Sequence, residues 1–455
     1  MSTTEALEPE PEHRHAWLAI PGPRPGTAWA DADGRLPNPA FDIAAASTTV
    51  GALQREILPG LGVGGPTLGC LLRYEDPWTP ATVVSALVEL EPQPPGWTPP
   101  EGWQAVDLAG PGEAEGLVDG LLNTLQPRVA DWVAEQLGAP LDPFAPPWSQ
   151  PGWWERTTDW IAAQLPDRGP LDVEQVRAWG ISTVLRATDA DGQRYWFKGI
   201  CTHFGREVAV TEALHRVAPE FVAPVLAADR DEFRLLLGDL PDVAPAGEPA
   251  THASAYARLR DLQRKVEPHR SDLIAAGATV RPLADVPAAF AATMADLELP
   301  EWHGIAPARV GELVRWVEQA VIEVAALGLP DVVVHGDFHP GNVATLGDGT
   351  RVIFDWSDAA ITQPFVDVPT WLTWIEDDVD EQARTWASFA QVWSDVLPAD
   401  EWLARRTLLE GVAGAYHVVS YAGIVRAMDV HRKFEHARGI AEFVAFVDAA
   451  APAGP

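Results

Sequence analysis

The sequence predicts an α/β (α+β) fold of two lobes, carried behind a smaller α/β domain. Two strand–loop–strand series and one proline-rich break point to it. The first series runs from Trp179 to Lys198, with an Asp191-Gly192 hairpin signal inside it, and Phe233 to Leu237 reads as a later strand. The second, Val332 to Phe354, interrupts a region that is otherwise helical in pattern from Thr251 onward. The break is residues 138–152, with Pro140, Pro143, Pro146, Pro147 and Pro151, and it reads as a stiff linker.

In chain order, residues 1–15 are acidic and polar and read as a disordered tail. Residues 16–137 form a small domain. Within it Gly65 to Tyr74, Val83 to Leu90 and Trp103 to Val106 are expected strands, and Leu117 to Leu137 is an expected helix broken near Pro127. After the linker, residues 153–240 form the first lobe, opened by a tryptophan-rich helix from Trp153 to Leu165. Residues 241–455 form a larger, helical second lobe. A chain of 455 residues is too long for one compact domain, which agrees with this division.

The most informative stretch is His335-Gly336-Asp337-Phe338-His339-Pro340-Gly341-Asn342, followed by Phe354-Asp355-Trp356. Val332 to Val334 and Arg351 to Phe354 read as strands, and Pro340-Gly341 forces a turn, so Asp337, Asn342 and Asp355 fall at loop tips. Asp337 can accept a proton from a hydroxyl. Asn342 can offer its amide oxygen to a hard cation, and Asp355 can chelate Mg2+ from the other side. Phosphoryl transfer needs metal, positioning and a base for the acceptor, and this series supplies all three. A lone His-Gly-Asp would be an ordinary polar turn.

The segment resembles the signature of the aminoglycoside phosphotransferase and choline kinase families, which share the protein-kinase-like fold. The resemblance implies that Asp337 is the catalytic base, that Asn342 and Asp355 hold the metal, and that His335 and His339 brace the loop. It further implies that Asp367 ties this loop to the following helix. Residues 50–63 resemble the end of a Nudix motif, with Arg55, Glu56, Ile57, Gly62 and Val63 in register. Pro59 and Gly60 stand where that motif carries metal carboxylates, and Phe41 and Ser47 where it carries Gly and Glu. The expectation is a Nudix-like scaffold without hydrolytic chemistry; an ordinary helix bearing an Arg-Glu pair is the alternative.

A nucleotide cradle is expected upstream. Gly180 and Ser182 would let backbone N–H groups approach phosphate oxygens, and Lys198 is one of only three lysines in the chain. A lysine on an aromatic strand suits the α/β-phosphates; a snorkelling surface lysine is the alternative. Glu207, Val210, Leu214 and Val217 share one helix face, making Glu207 the expected partner of Lys198, with Glu212 as the fallback. Leu237 to Leu240, including Asp239, is where the resemblance places the adenine-reading hinge. The cofactors expected are ATP, with GTP as the alternative purine, and Mg2+.

The chain carries 32 basic and 65 acidic residues, a net charge of −33. Nucleic acid and anionic membranes repel such a surface, so neither is an expected partner. A small hydroxylated substrate is expected, and the charge would favour a cationic one. No signal-peptide pattern, no apolar run of spanning length and only two cysteines, Cys70 and Cys201, point to a soluble, cytoplasmic enzyme. For the acceptor, Trp371 and Trp374 precede Glu376, Asp377, Asp378, Asp380 and Glu381. Aromatic faces beside carboxylates suit an amino-bearing ligand; a solvated acidic turn capping the next helix is the alternative, and the sequence favours it. The function expected is phosphorylation of a small-molecule hydroxyl, an aminoglycoside or amino sugar foremost. A nucleotide-binding pseudokinase is the competing class, but it would need no proton acceptor at Asp337.

Overall fold

The computed structural model describes residues 12–43, 49–74, 84–118, 125–240, 249–296, 305–346, 349–375 and 378–452. They form an α+β chain of two compact units, Met1–Gly199 with Asp429–Arg432, and Ile200–Met428 with Lys433–Pro455. Most of the tail expected over 1–15 lies outside the described residues. Its last residues belong instead to the strand Glu12–Ala19, where the apolar run Ala16 to Ile20 is wholly or almost wholly buried.

In the first unit, Glu12–Ala19 pairs in parallel with Val84–Leu90 and antiparallel with Ala40–Ile43, while Thr67–Tyr74 flanks Val84–Leu90 on the other side. Helical residues 49–60 pass through a π-helical turn at Leu53–Ile57, which carries Arg55 and Glu56. The unit buries an ion pair. Arg128 reaches Glu89 with two hydrogen bonds of 2.5 and 2.7 Å and also bonds Glu135. Burial raises the carboxyl of Glu89, but the adjacent Arg128 guanidinium outweighs this and holds it below its ordinary value. Pro127 sits in the first turn of the helix Gln126–Gln136, where its missing N–H costs nothing. The break expected near Pro127 is therefore a helix start.

The expected stiff linker, residues 138–152, is pinned at Trp148. Trp148 is 1% exposed, and its indole N–H donates to the Trp179 carbonyl at 3.1 Å. Gln175 bridges further: its side-chain amide accepts from Thr67 N (2.9 Å) and donates to Thr67 O (3.0 Å), completing the edge of the strand Thr67–Tyr74. Strands Asp172–Ala178, Ser182–Thr188 and Arg194–Ile200 follow. Phe197 packs edge-on against Trp153 and Trp160 of the helix Trp153–Gln164. Period-two alternation therefore puts Lys198 on the opposite face of its strand.

The second unit is mainly helical, as its periodicity predicts. Its core gathers Phe290, Val317, Val333, Phe338, Trp356, Trp371, Phe389 and Trp402, all 2% exposed or less. Strand Val332–Val334 pairs antiparallel with Ala360–Thr362, and Val343–Thr345 with Arg351–Ile353. Helix Arg406–Arg426 is long and apolar enough to cross a membrane, yet about two-thirds of its apolar window is buried within the unit. It packs against the helix Phe434–Ala450, where Gly414 lies so close to the facing backbone that a Cβ would sit 2.7 Å from Phe443 O.

His417 on the helix Arg406–Arg426 is 1% exposed, stacks on Phe443, and its Nε2–H donates to the Val366 carbonyl at 2.8 Å. Burial pushes its imidazole down to about 4. The unfolded chain therefore binds a proton that the folded chain refuses between pH 6.5 and 4, so this stabilisation is present above 6.5 and lost as pH falls. Urea unfolding at pH 7.5 and pH 5 should show a loss of about 2 kcal/mol from this group. His417→Gln should be less stable at pH 7.5 but decline less steeply; an equally steep decline would remove His417 as a cause.

Candidate active site

The turn between the strands Val332–Val334 and Val343–Thr345 is built by hydrogen bonds that only a few residue types can make. Gly336 has φ 82°, and a Cβ there would lie 2.3 Å from Asp358 O, so glycine is required. The N–H groups of His335 and Gly336 donate to Asp367 Oδ2 and Oδ1, at 3.0 and 2.7 Å. His335 Nε2 donates to Phe354 O at 2.9 Å, and its Nδ1 accepts from Asp337 N at 3.3 Å, which sets the neutral tautomer. Burial, the largest influence, lowers the His335 pKa and keeps the ring uncharged. Burial likewise pushes Asp367 up to about 7 against the pull of its two N–H donors.

Asp337 is half-buried at the turn. His339 Nδ1 accepts from Gly341 N at 3.0 Å, and its Nε2 lies 3.1 Å from Asn342 Nδ2 and 3.4 Å from Asp337 Oδ2. Burial opposes ionisation of Asp337, but the imidazoles of His339, His335 and His417 prevail and hold its carboxyl well below its ordinary value. The group is a carboxylate at neutral pH, in the state that can take a proton. His339 also stacks on Trp374, centroids 4.2 Å apart and planes 14° from parallel.

Asn342 donates through Nδ2 to Asp337 O at 2.8 Å, which leaves Oδ1 as the atom of this amide that could hold a cation. Phe354 N donates to Asn342 O at 3.1 Å, so Asp355 is the next residue beyond that link. Asp355 is one of two described non-glycine residues at positive φ, here 67°, a conformation held only where the surroundings over-determine it. Ser357 Oγ lies 3.1 Å from Asp355 Oδ1 and 3.2 Å from Asp358 Oδ2. Among the described residues no group of three His, Cys, Asp or Glu is placed to hold a metal. Mg2+ does not need one: it takes one or two protein oxygens and fills the rest with phosphates and water. The hard-oxygen pair Asn342 and Asp355 fits that requirement.

The upstream residues fall on two elements of the first unit and two of the second. Gly180 and Ser182 belong to the tight turn from Trp179, whose N–H donates to Ser182 O (3.1 Å) and whose indole N–H donates to Ser182 Oγ (2.7 Å). Lys198 lies half-buried on Arg194–Ile200. In the second unit, Glu207 is 2% exposed in the first turn of the helix Arg206–Val217. Glu212 on the same helix is instead paired with Arg230 at 2.7 Å, at the surface, which disfavours the fallback partner. Leu237 ends the strand Arg234–Leu237 and Asp239 follows it, half-buried.

Beside Asp337 opens a cavity of about 350 Å3, lined by Thr370, Thr373, Trp374, Tyr421, Glu442 and Phe443. The expected acceptor residues divide sharply around it. Trp374, 48% exposed, lines the cavity. Trp371 does not: it is wholly buried, its ring packed on Tyr256, Phe338 and His252. Asp378 accepts from Glu381 N at 2.9 Å and caps the helix Val379–Val392, so the capping alternative holds there. Asp377 lies outside the described residues. Asp358, three residues after Asp355, is a further carboxyl that the sequence reading passed over, although its spacing could have flagged it. Burial first, then the charge of Asp337, pushes it up to about 7. Tyr421 and Glu442 have no local signal at all.

The double acceptance by Asp367 makes a direct prediction. In Asp367→Asn one carboxylate oxygen becomes an NH2, leaving one of two buried N–H groups facing a donor. Urea unfolding should show a loss of about 1–3 kcal/mol, and a variant as stable as the parent would show that the two bonds do not hold the turn.

Residues 201–404 match the model of a family described as APH, phosphotransferase enzyme family. No curated protein matches the chain. Among solved structures, choline kinase LicA from Streptococcus pneumoniae is 10% identical, with 64% of this chain and 99% of that chain covered and a TM-score of 0.45. Macrolide 2'-phosphotransferase MphH from Brachybacterium faecium is 18% identical, with 62% and 97% covered and a TM-score of 0.40. The GDP and kanamycin complex of APH(2")-IIia is 14% identical, with 65% and 98% covered and a TM-score of 0.46. The chain thus carries a segment similar to phosphotransferase enzymes, and that segment contains Asp337, Asn342, Asp355 and Asp367.

Proposed function

We propose that this chain is a small-molecule kinase of protein-kinase-like fold, transferring the γ-phosphoryl group of ATP to a hydroxyl of an aminoglycoside, amino sugar or similar metabolite. The observation that carries the reading is the Asp337–Asn342–Asp355 arrangement: a carboxylate kept ionised beside an amide whose nitrogen is already committed, one hydrogen bond from a strained aspartate. The match of residues 201–404 to phosphotransferase enzymes supports it.

In this reading the acceptor hydroxyl lies against Asp337. Its oxygen forms the new P–O bond as the bond between the γ-phosphorus and the β–γ bridging oxygen breaks. The hydroxyl proton passes to Asp337, and the nucleoside diphosphate leaves. Mg2+ bound between nucleotide phosphates and protein would neutralise the charge that develops on the phosphoryl oxygens. Asn342 Oδ1 and the Asp355 carboxylate are the proposed ligands, His335 and Asp367 hold the turn, and His339 keeps Asp337 charged. Lys198 is the proposed cation for the α/β-phosphates, aimed by Glu207, with Gly180 and Ser182 in the phosphate loop. Leu237 to Asp239 would read the purine through backbone groups, so GTP is the alternative donor. Residues 16–137 are proposed as a Nudix-like scaffold whose helical residues, with Pro59 and Gly60 in the turn Leu58–Gly60, carry no metal chemistry. A cytoplasmic location, where ATP is abundant, fits this activity.

Asp337→Asn should retain Mg-ATP binding and lose at least ~10²-fold in transfer, since an amide cannot take the proton. Unchanged turnover would exclude Asp337 as the base. Asp355→Ala should lose Mg2+-dependent nucleotide binding as well as rate, measured by calorimetric titration. Lys198→Ala should weaken Mg-ATP binding or slow transfer sharply; neither change would remove Lys198 from the site.

A further inference from the structure

The cavity beside Asp337 is unusually one-sided in its hydrogen bonding. Thr370 Oγ1 spends its proton on backbone carbonyls, lying 2.9 Å from Phe338 O and 3.0 Å from Asp367 O. Thr373 Oγ1 donates to Thr370 O at 2.9 Å. Toward the cavity both hydroxyls can therefore only accept. Asp337 and Glu442 add two carboxylates, and among the described residues no lysine or arginine lines the space.

Glu442 Oε1 meets Arg438 Nε at 3.0 Å, but Arg438 is 88% exposed, so the pair is solvated and weak. Oε2 is left for a ligand. Trp374 and Phe443 supply apolar faces. Among the described lining residues the donors are the phenol of Tyr421 and the indole N–H of Trp374.

The phenol is placed by a specific packing feature. Tyr421 on the helix Arg406–Arg426 lies across Gly439 of the helix Phe434–Ala450, where a Cβ would sit 2.2 Å from the ring. Its centroid is 5.2 Å from that of Phe443. Burial, then the carboxylates of Asp337, Asp358 and Glu442, raise the phenol well above its ordinary value, so it stays a donor. At about 350 Å3 the cavity lies at the low end of small-molecule sites, roughly 300–1,000 Å3. That is room for one sugar-sized ring.

We propose that this cavity binds a single polyhydroxylated ring bearing one ammonium group, with the ammonium on Glu442, the reacting hydroxyl on Asp337, and Tyr421 donating to a ring or hydroxyl oxygen. The two threonines accept from the remaining hydroxyls, and Trp374 covers the C–H face of the ring. Gly439 reserves the space that the phenol occupies. This assignment rests on the reading of Asp337 as the base, but the identity of the reader groups does not.

The test is calorimetric binding to the full-length protein of a hexosamine, the matching hexose and a three-ring aminoglycoside, together with steady-state kinetics in Mg-ATP. The hexosamine should bind at least ~10-fold more tightly than the hexose, a difference of about 1.4 kcal/mol. Glu442→Gln should abolish that preference while the hexose is bound as before. Tyr421→Phe should raise KM for the hexosamine more than it lowers kcat, and Gly439→Ala should do the same by displacing the phenol. Equal binding of hexosamine and hexose, a Glu442→Gln protein with its preference intact, tighter binding of the three-ring compound, or binding of none of the three would overturn the proposal. Asp337→Asn separates the two readings. If that variant binds the hexosamine but transfers nothing, both stand; if it still transfers phosphate, the base assignment fails and the cavity assignment is judged on binding alone.

Discussion

The carboxylate of Asp367, buried to 1% exposure, accepts the N–H groups of His335 and Gly336, and the rest of the site is arranged around those two bonds. A turn with glycine at positive φ exposes two consecutive N–H groups on its inner side, and inside a protein these cannot be left unmet. One carboxylate meets both. This anchors the residue just before Asp337 to the helix Asp367–Leu372, which also carries Thr370. His417 extends the anchor by holding the carbonyl of Val366, one residue before Asp367. Asp337, its turn and the cavity wall are thereby fixed to one buried group.

The electrostatics follow from the same crowding. Asp337, Asp355, Asp358 and Asp367 lie within a short stretch of chain, and carboxylates this near cannot all ionise at equal cost. The structure separates them by surroundings. Asp337 has three imidazoles near it and stays charged, whereas Asp358 and Asp367, shielded from water and facing the charge of Asp337, are pushed up to about 7. Such divergence between neighbouring titratable groups is how a site assigns different tasks to identical side chains. The φ of 67° at Asp355 belongs to the same economy, since a strained residue is kept where its direction matters more than its comfort.

The first unit solves a different problem, holding many short elements together around a small core. It uses side-chain amides and buried charge where strand pairing ends. Gln175 imitates a missing strand at Thr67, and Arg128 satisfies Glu89 and Glu135 together. Breaking one partner of such a pair strands the other in low dielectric and costs more than the pair contributes.

Much of this molecule was legible in its sequence because the relevant physics is local. Strand Val332–Val334, the turn at Pro340-Gly341, the helix face of Glu207 and the helix Trp153–Gln164 each follow from the order of residues over a few positions. The spacing of Asp337, Asn342 and Asp355 is likewise contained in one hairpin, so the loop that brings them near one another is written between them. Other features depend on which surfaces meet, which periodicity cannot specify. Trp371 and Trp374 are three residues apart with equal claims on a ligand, yet one faces the core and the other the cavity. Residues 138–152 read as a stiff linker because proline favours one, but nothing local foretells that Trp148 finds a buried site against Trp179. Tyr421 and Glu442 carry no motif, and they line the cavity beside Asp337 only because two long helices pack closely through Gly414 and Gly439. The sequence alone determined which acid, amide and imidazole groups fall together in one loop, since that needs a few residue types at short spacing. Tertiary packing decided what the cavity can admit, because its walls come from segments that only folding brings together.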